Sequence, residues 1–284
     1  MSAALERFAE LLRRSEADLD LARACLMIAE DAYPELDVER YLGEIDALAA
    51  RLAARLGGHA SAEQRVVALN EFLYQELGFW GNTEDYYDPR NSYLNDVLER
   101  RTGIPITLAV LYMELGRRVG LGCEGVSFPG HFLVRVQVRG GVLILDPFAG
   151  GAPQSEADLR ERLQRVIPPE AAAGVPVSEL PLDQFIEPAT PRQILARLLR
   201  NLKEIYRQSD QPERLLGVLN RMLALQPDAA AELRERGYTY QRLECWRPAL
   251  QDLTDYLQRD PDAADFTDVR AAVADLADRC KRLN

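Results

Sequence analysis

The amino-acid sequence predicts an α+β protein in which a helix-rich core with a small antiparallel sheet precedes an all-helical domain. Apolar residues recur with helical spacing through most of the first 120 residues, and between 123 and 146 they alternate with polar residues as in strands. Helical spacing returns after a proline-rich stretch. These changes of pattern predict a core over 1–165, a linker over 166–191 and a helical domain over 192–284.

Composition narrows the partners and cofactors that can be expected. The chain has 47% apolar and 28% charged residues and a net charge of −11, which is typical of a soluble globular protein and argues against nucleic-acid or anionic-membrane partners. The first 20 residues contain no signal segment, and no uncharged run is long enough to span a bilayer. Four separated cysteines and two histidines give no zinc-binding spacing. We therefore expect a cytoplasmic protein without a metal or other cofactor.

Capping residues mark the expected starts of the helices. Ser15 and Asp18 resemble a capping box for a helix that continues to Tyr33, and the next helix is expected to start after Asp37. The same pattern predicts further helix starts at Ser61–Gln64 and Ser155–Asp158.

The segment "GFWGNTEDYYDPRNSYLNDVLERRTG" is aromatic, acidic and rich in turn residues. Glu84, Asp85 and Asp88 offer carboxylates for a hard cation, but they lack the ligand spacing of a calcium loop. Asn91 and Ser92 are candidates for the N-cap of the following helix. We expect three residues of this segment to border the functional pocket: Asn91, Tyr93 and Asn95.

Three segments show the alternation of strands: "CEGVSF", "HFLVRVQV" and "GVLILD". The last two are joined across Arg139-Gly140-Gly141, which predicts a hairpin, and "DPFAGGAP" is expected to end the sheet. Before the strands, "GIPITLAVLYMELGRRVGLG" predicts a buried helix with Pro105 at its first position, where a missing N–H costs nothing.

The predicted linker is rich in proline, with Pro168, Pro169, Pro176, Pro181, Pro188 and Pro191, and is expected to be extended. Beyond it, Pro227 and Pro261 lie 34 residues apart, the period of tetratricopeptide repeats. Gly237, Tyr240 and Ala249 match the small and aromatic positions of such a repeat. The preceding repeat keeps Leu202 and Tyr206 but has Lys203 and Leu215 at the small positions. So short an array either forms a peptide-binding groove or packs as an appendage.

The stretch "YYDPRNSYLNDVLERRTGIPITLAVLYMELGRRVGL…GVSFPGHFLVRV…LILDPFAGG" resembles the transglutaminase-like core of bacterial SirB-type proteins, a core also found in an F-box protein. The resemblance covers roughly residues 15–265, including the tetratricopeptide-type helices that follow this core in the family. It implies a papain-like order of a helix followed by antiparallel strands.

The resemblance also implies a site with a Cys at the start of the central helix, a His and an Asp. Gly103 and Ala109 match the motif around the nucleophile, and His131 and Asp146 match the other two positions. The Cys position holds Pro105, which has no nucleophilic atom. Two substitutes are conceivable, the hydroxyl of Thr107 and the thiol of Cys123, although Thr107 is turned about 200° from the vacated position.

Contact between His131 and Asp146 depends on the hairpin register, because residues that face each other have a constant index sum. A turn at Gly140-Gly141 gives a sum of 281 and sets Asp146 opposite Arg135, about 13 Å from His131. A turn at Arg139-Gly140 gives 279 and sets Asp146 diagonal to His131. A longer loop with a sum of 277 sets them directly opposite, and the family spacing favours these last two registers.

The sequence thus leads to two functional hypotheses. In the first, the protein is a noncatalytic transglutaminase-like protein that binds a protein or peptide, with Pro105 and Cys123 lining the pocket. In the second, it is a hydrolase or acyltransferase that uses His131 and Asp146 with Thr107, Cys123 or a bound water. A third possibility is that the core only supports the repeat domain, but no feature of the sequence indicates it.

Overall fold

The computed structural model describes residues 2–168 and 176–282. The helices of these residues are α1 (Ala3–Leu11), α2 (Leu21–Ala29), α3 (Val38–Ala53), α4 (Ala62–Asn70), α5 (Leu94–Arg100), α6 (Pro105–Arg118), α7 (Glu156–Val166), α8 (Pro191–Gln208), α9 (Pro212–Leu225), α10 (Ala230–Arg242), α11 (Trp246–Arg259) and α12 (Phe266–Arg282). The strands are β1 (Trp80–Gly81), β2 (Thr102–Gly103), β3 (Cys123–Val126), β4 (Leu133–Val138), β5 (Gly141–Asp146) and β6 (Ala152–Pro153).

The chain forms two compact units. The core unit comprises Glu16–Ala29 and Glu35–Leu198, and the repeat unit comprises Met1–Ser15, Glu30–Pro34 and Leu199–Asn284. Each unit groups segments that pack together but are separated along the chain. The boundaries predicted at 165 and 192 divide the chain into consecutive segments, and they stay a prediction.

A four-stranded antiparallel sheet in the order β3-β4-β5-β6 and the buried helix α6 organise the core unit. The segment "DPFAGGAP", which is predicted to end the sheet, contains the last strand, because the chain turns through Gly150 and Gly151 and pairs Ala152 with Asp146. Both glycines have positive φ, which makes this tight return possible. A separate parallel pair, β1 with β2, leads into α6.

The capping predictions hold at the starts of α3, α4 and α7 and fail at the start of α2. Asp37, Ser61 and Ser155 cap α3, α4 and α7 as expected. The helix predicted from Ser15 to Tyr33 is wrong, because α2 begins only at Leu21 and ends at Ala29. The carboxylate of Asp20 accepts a hydrogen bond from the backbone N of Arg23 at 3.0 Å and so satisfies the first turn there instead.

The described part of the predicted linker packs against the core unit. Val177, Leu182, Phe185 and Ile186 contact a buried cluster of the sheet and α7, and the backbone N of Ala189 donates to a carbonyl of β3. These apolar side chains stand between the prolines, so 176–191 is a packed segment rather than an extended linker. Pro169 lies outside the described residues.

The repeat unit contains the predicted close helix approach. A Cβ added at Gly237 on α10 would lie 2.7 Å from Leu253 on α11, so glycine permits the contact. Ala249 and Leu253 are fully buried there, and Tyr240 packs against the same cluster. At the degenerate position, Lys203 forms ion pairs with Glu232 and Glu235.

Candidate functional site

The hairpin register brings His131 and Asp146 into contact. Val134 pairs with Leu145, which is the register with the index sum of 279, and Asp146 follows one position later. His131 precedes β4 in a turn, and its Nε2 lies 2.8 Å from Asp146 Oδ1. The Asp146 side chain is 1% exposed and that of His131 is 13% exposed, so the pair lies at the edge of the core.

The Asp146 carboxylate is fully engaged. Its Oδ1 also accepts a hydrogen bond from the backbone N of Phe148 at 3.0 Å, and its Oδ2 accepts one from Arg162 Nη2 at 2.7 Å. Burial alone would raise the pKa of Asp146, but the hydrogen bond and charge of His131 and the charge of Arg162 lower it below its ordinary value of 3.8. Asp146 is therefore an anion at neutral pH.

The start of α6 is connected to the His131–Asp146 pair, the dyad, through contacts of Gly81 and Phe148. Gly103 pairs with Gly81 across the β1–β2 ladder, and a Cβ added at Gly81 would lie 2.5 Å from the Phe148 ring. The Phe148 ring meets the His131 ring edge to face at 6.0 Å. The helix start, the aromatic ring and the dyad thus form one continuous region, as in the site that the sequence motif implies.

The first turn of α6 provides no nucleophile to this region. Pro105 is buried at the first helical position. The Thr107 hydroxyl accepts a hydrogen bond from the backbone N of Ile104 at 3.1 Å and lies 2.7 Å from the carbonyl of Asn91, to which it donates. Thr107 is 1% exposed, so its oxygen is committed to holding the helix start.

Cys123 lies at the wrong end of the hairpin. It pairs with Val136, about 10 Å along the strand from Leu133, and His131 lies beyond Leu133. Burial raises the pKa of the Cys123 thiol to about 12, so it is protonated at neutral pH. Its Sγ packs in the space that the absent side chain of Gly116 leaves open.

The residues predicted to border the pocket are buried. Asn91 is 0% exposed, and its Nδ2 donates to the carbonyl of Asp85 at 2.7 Å, so it fixes the preceding loop. The prediction that Asn91 or Ser92 caps α5 is wrong, since Tyr93 is the N-cap residue and no side chain caps it. Asn95 is also buried, and its Oδ1 has no hydrogen-bond partner among the described residues. Ligand contact by Asn91, Tyr93 and Asn95 stays a prediction.

Two residues near the dyad, Arg162 and Tyr74, are not identified by the sequence analysis. Arg162 is one of several arginines on an amphipathic helix, so nothing in its local pattern singles it out. Tyr74 lies in a π-helical turn, Glu71–Glu76, a rare conformation that is frequent at functional sites. Burial, and after it the charge of Asp146, raises the pKa of Tyr74.

The described residues offer neither a metal-binding cluster nor a membrane-spanning helix. Across 2–168 and 176–282, no group of three or more His, Cys, Asp or Glu side chains is placed to hold a metal ion. In the same part of the chain, no helix has both the length and the apolar character needed to cross a membrane.

The fold and the His–Asp pair define a transglutaminase-like protein. The family model of the transglutaminase-like superfamily matches residues 39–200, and a tetratricopeptide-repeat model matches residues 202–274. The chain belongs to the transglutaminase-like superfamily. These matches confirm the class and the repeats that the sequence motifs predict.

Two bacterial proteins are similar in sequence to this one over most of its length. The protein is 41% identical over 259 residues to a UPF0162 protein of Xylella fastidiosa, covering 91% of this chain and 90% of that protein. It is 35% identical over 233 residues to a UPF0162 protein of Pseudomonas aeruginosa, with 82% of both chains covered. A shorter stretch of 68 residues is 50% identical to F-box only protein 21 of Homo sapiens, covering 24% of this chain and 11% of that protein.

The turn after Asp146 gives a testable contrast between two adjacent glycines. A Cβ at Gly150 would meet nothing within 4 Å, whereas a Cβ at Gly151 would run into the amide of Asn70. That amide accepts from the Tyr112 hydroxyl at 2.9 Å and donates to the Gly151 carbonyl at 3.0 Å. We expect Gly150→Ala to cost about 1 kcal/mol for its left-handed backbone, and Gly151→Ala about 3 kcal/mol.

Urea unfolding of both variants measures the difference. The two residues have similar positive φ, so the left-handed backbone cost is common to both and the excess in Gly151→Ala isolates the Asn70 contact. Equal midpoints for the two variants would show that Asn70 yields without loss.

Proposed function

We propose that this chain is a noncatalytic, SirB-type member of its superfamily that binds a protein or peptide in the cytoplasm. The observation that carries the proposal is Pro105, buried at the helix position where the superfamily motif has its nucleophilic Cys. A prolyl ring can neither attack a carbonyl nor exchange a proton with His131.

The surroundings of His131 support the same conclusion. Among the described residues, Asp146 is the one hydrogen-bond partner of the His131 ring, so neither Thr107 nor Cys123 is bonded to it. Arg162 on the second oxygen of Asp146 gives the carboxylate a structural ion pair in addition to its contact with the histidine. The dyad then acts as a buried polar support for the turn that carries His131.

The tetratricopeptide-type helices supply the second line of support. Repeats of this class present helical surfaces that bind other proteins, and the match covers residues 202–274. A net charge of −11 disfavours nucleic acid and anionic membrane as the partner.

One observation favours a second candidate, a hydrolase or acyltransferase. The His131–Asp146 contact is intact at 2.8 Å, and Asp146 holds Nε2, which leaves Nδ1 of the ring as the group that could activate a bound water. Such an enzyme would need a water or a substrate hydroxyl in place of the missing thiol.

Comparing wild type with His131→Ala separates the two functions. The full-length proteins are assayed with p-nitrophenyl acetate and with fluorogenic peptide amides, and circular dichroism checks that both are folded. We expect equal hydrolysis rates, together with capture of the same photo-crosslinked proteins from bacterial extract. A wild-type rate at least tenfold above that of His131→Ala would overturn the noncatalytic proposal.

A further inference from the structure

The loop that follows β1 exposes two aromatic rings beside two carboxylates. The Tyr87 side chain is 63% exposed and that of Tyr86 is 39% exposed, which places them among the few exposed large hydrophobic residues of the described chain. Glu84 and Asp85 precede them and are also exposed. Adjacent exposed rings of this kind are typical of surfaces that bind a partner.

Buried amides hold this loop in place. Asn82 Oδ1 accepts hydrogen bonds from the backbone N of Glu84 at 3.2 Å and from that of Asp85 at 3.0 Å. Asn82 Nδ2 donates to Asn91 Oδ1 at 3.1 Å, and Asn91 Nδ2 donates to the carbonyl of Asp85. Since both amides are nearly inaccessible, the rings are presented by a fixed backbone, which lowers the entropy cost of binding.

The two carboxylates are uncompensated. Within 2–168 and 176–282, neither the Glu84 nor the Asp85 side chain forms an ion pair or a hydrogen bond. The neighbouring arginines, Arg90 and Arg100, both form ion pairs with Asp88 instead. The loop therefore carries a net negative charge at its exposed end.

The rings continue from the loop to the dyad. Tyr87 meets Tyr86 edge to face at 5.4 Å, Tyr86 meets Phe148 at 6.3 Å, and Phe148 meets His131 at 6.0 Å. Arg197 lies near this row, and its Nη1 donates a hydrogen bond to the carbonyl of Phe128 at 3.0 Å. Because like charges repel, the guanidinium of Arg197 disfavours a second cation beside Tyr86, which leaves the Tyr87 end of the row for a cationic ligand.

We infer that this surface binds an extended segment of a partner protein through a Lys or Arg side chain placed over Tyr87 and against Glu84 and Asp85. The inference rests on the proposed binding function and names the chemistry of its ligand. A cation over a tyrosine face beside carboxylates combines a cation–π contact with charge pairing. The net charge of −11 attracts a basic partner from a distance as well.

Fluorescence anisotropy with two labelled peptides tests this inference on the full-length chain. Both probes are 12-residue glycine–serine peptides with one leucine, and they carry either three arginines or three glutamates. We expect the arginine peptide to bind at least tenfold more tightly than the glutamate peptide. The affinity of the arginine peptide should fall when the salt concentration is raised from 50 to 300 mM, because the carboxylates of Glu84 and Asp85 are exposed to solvent.

Variants show whether the binding occurs at this loop. Tyr87→Ala and the double change Glu84→Gln with Asp85→Asn are each expected to weaken the arginine peptide at least fivefold. Val67→Ala is a control, because Val67 is exposed to a similar extent as Tyr87 and lies one turn from Glu63, which contacts Arg139 at the opposite end of the hairpin. It should leave the affinity unchanged, as should Glu161→Gln.

Each other outcome overturns the inference in a recognisable way. Equal binding of the two peptides, or equal loss in the control variants, would mean that the loop is not the basic-peptide site, while the noncatalytic proposal would stand. Calcium that displaces the peptide at 1 mM would assign the loop to a metal. A dimer that dissociates on Tyr87→Ala would assign it to a second copy. Cleavage of either peptide, lost in His131→Ala, would instead refute the proposed function.

Discussion

Replacing Asp146 with Asn is expected to lower the free energy of unfolding by about 3 kcal/mol at pH 7, because it breaks a buried ion pair from one side. The change preserves the size of the side chain but removes its charge, which leaves the Arg162 guanidinium facing an amide. It also weakens the 2.8 Å contact with His131. Urea unfolding followed by circular dichroism measures the loss.

The same loss should disappear in acid. The pKa of Asp146 is lowered in the folded protein, so its stabilising contribution is complete above its ordinary value of 3.8 and is lost as the pH falls below that value. We therefore expect the stabilities of the wild type and Asp146→Asn to approach each other as the pH is lowered below 3.8. Stabilities that differ by the same amount at pH 7 and in acid would show that charge is not the cause.

Glu161→Gln provides the matched control. Glu161 forms an ion pair with Arg165 on the same helix as Arg162. The side chains of Glu161 and Arg165 are both largely exposed. Removing an exposed pair costs at most about 0.5 kcal/mol. A loss below 1 kcal/mol in Asp146→Asn would contradict the structural role that we assign to the dyad.

Replacing Asp31 with Asn is expected to destabilise the repeat unit by about 3 kcal/mol, because it leaves the buried guanidinium of Arg221 without its counter-ion. Arg221 is 1% exposed, and its guanidinium binds the carboxylate of Asp31 with Nε and Nη2 at 2.5 and 2.9 Å. The guanidinium also lies 4.9 Å from the centre of the Phe8 ring. Asparagine preserves the size of the aspartate side chain, so the loss reports the unpaired guanidinium of Arg221 rather than a cavity.

A double-mutant cycle isolates this ion pair. Combining Arg221→Met with Asp31→Asn removes both charges, and we expect the double variant to recover at least about 1.5 kcal/mol of the loss. Arg214→Met is the control, because Arg214 is exposed and donates to the backbone carbonyl of Asp31 rather than to its carboxylate. Additive losses in the cycle would show that the two side chains do not stabilise each other.

Much of the candidate site could be predicted from the sequence. His131, Asp146 and the helix that begins at Pro105 follow from one motif, and Thr107 has the first-turn role that its position suggests. The index sum limited the hairpin to three registers: the Gly140-Gly141 pair favoured a sum of 281, whereas the family spacing favoured 279 or 277. Packing selected the register in which Val134 pairs with Leu145.

The rest of the site depends on residues distant from one another in the sequence. Arg162 reaches Asp146 from a helix sixteen positions later, and no pattern around Arg162 predicts the contact. The loop with Tyr86 and Tyr87 was recognised as aromatic and acidic, but its fixed shape comes from the Asn82–Asn91 contact. Such amide contacts have no periodic signal, because any polar residue in a loop could make them.

The sequence by itself determined the starts of α3, α4, α6 and α7, the presence of a hairpin between β4 and β5, the 34-residue spacing of the repeats and the absence of a cysteine at the start of α6. These features follow from backbone capping, turn chemistry and periodicity, which act over a few residues. Tertiary structure decided the start of α2, the addition of β6, the packing of 176–191 and the partners of Asp146. Those outcomes balance burial and hydrogen bonding among distant segments, and that balance exists only in the folded chain.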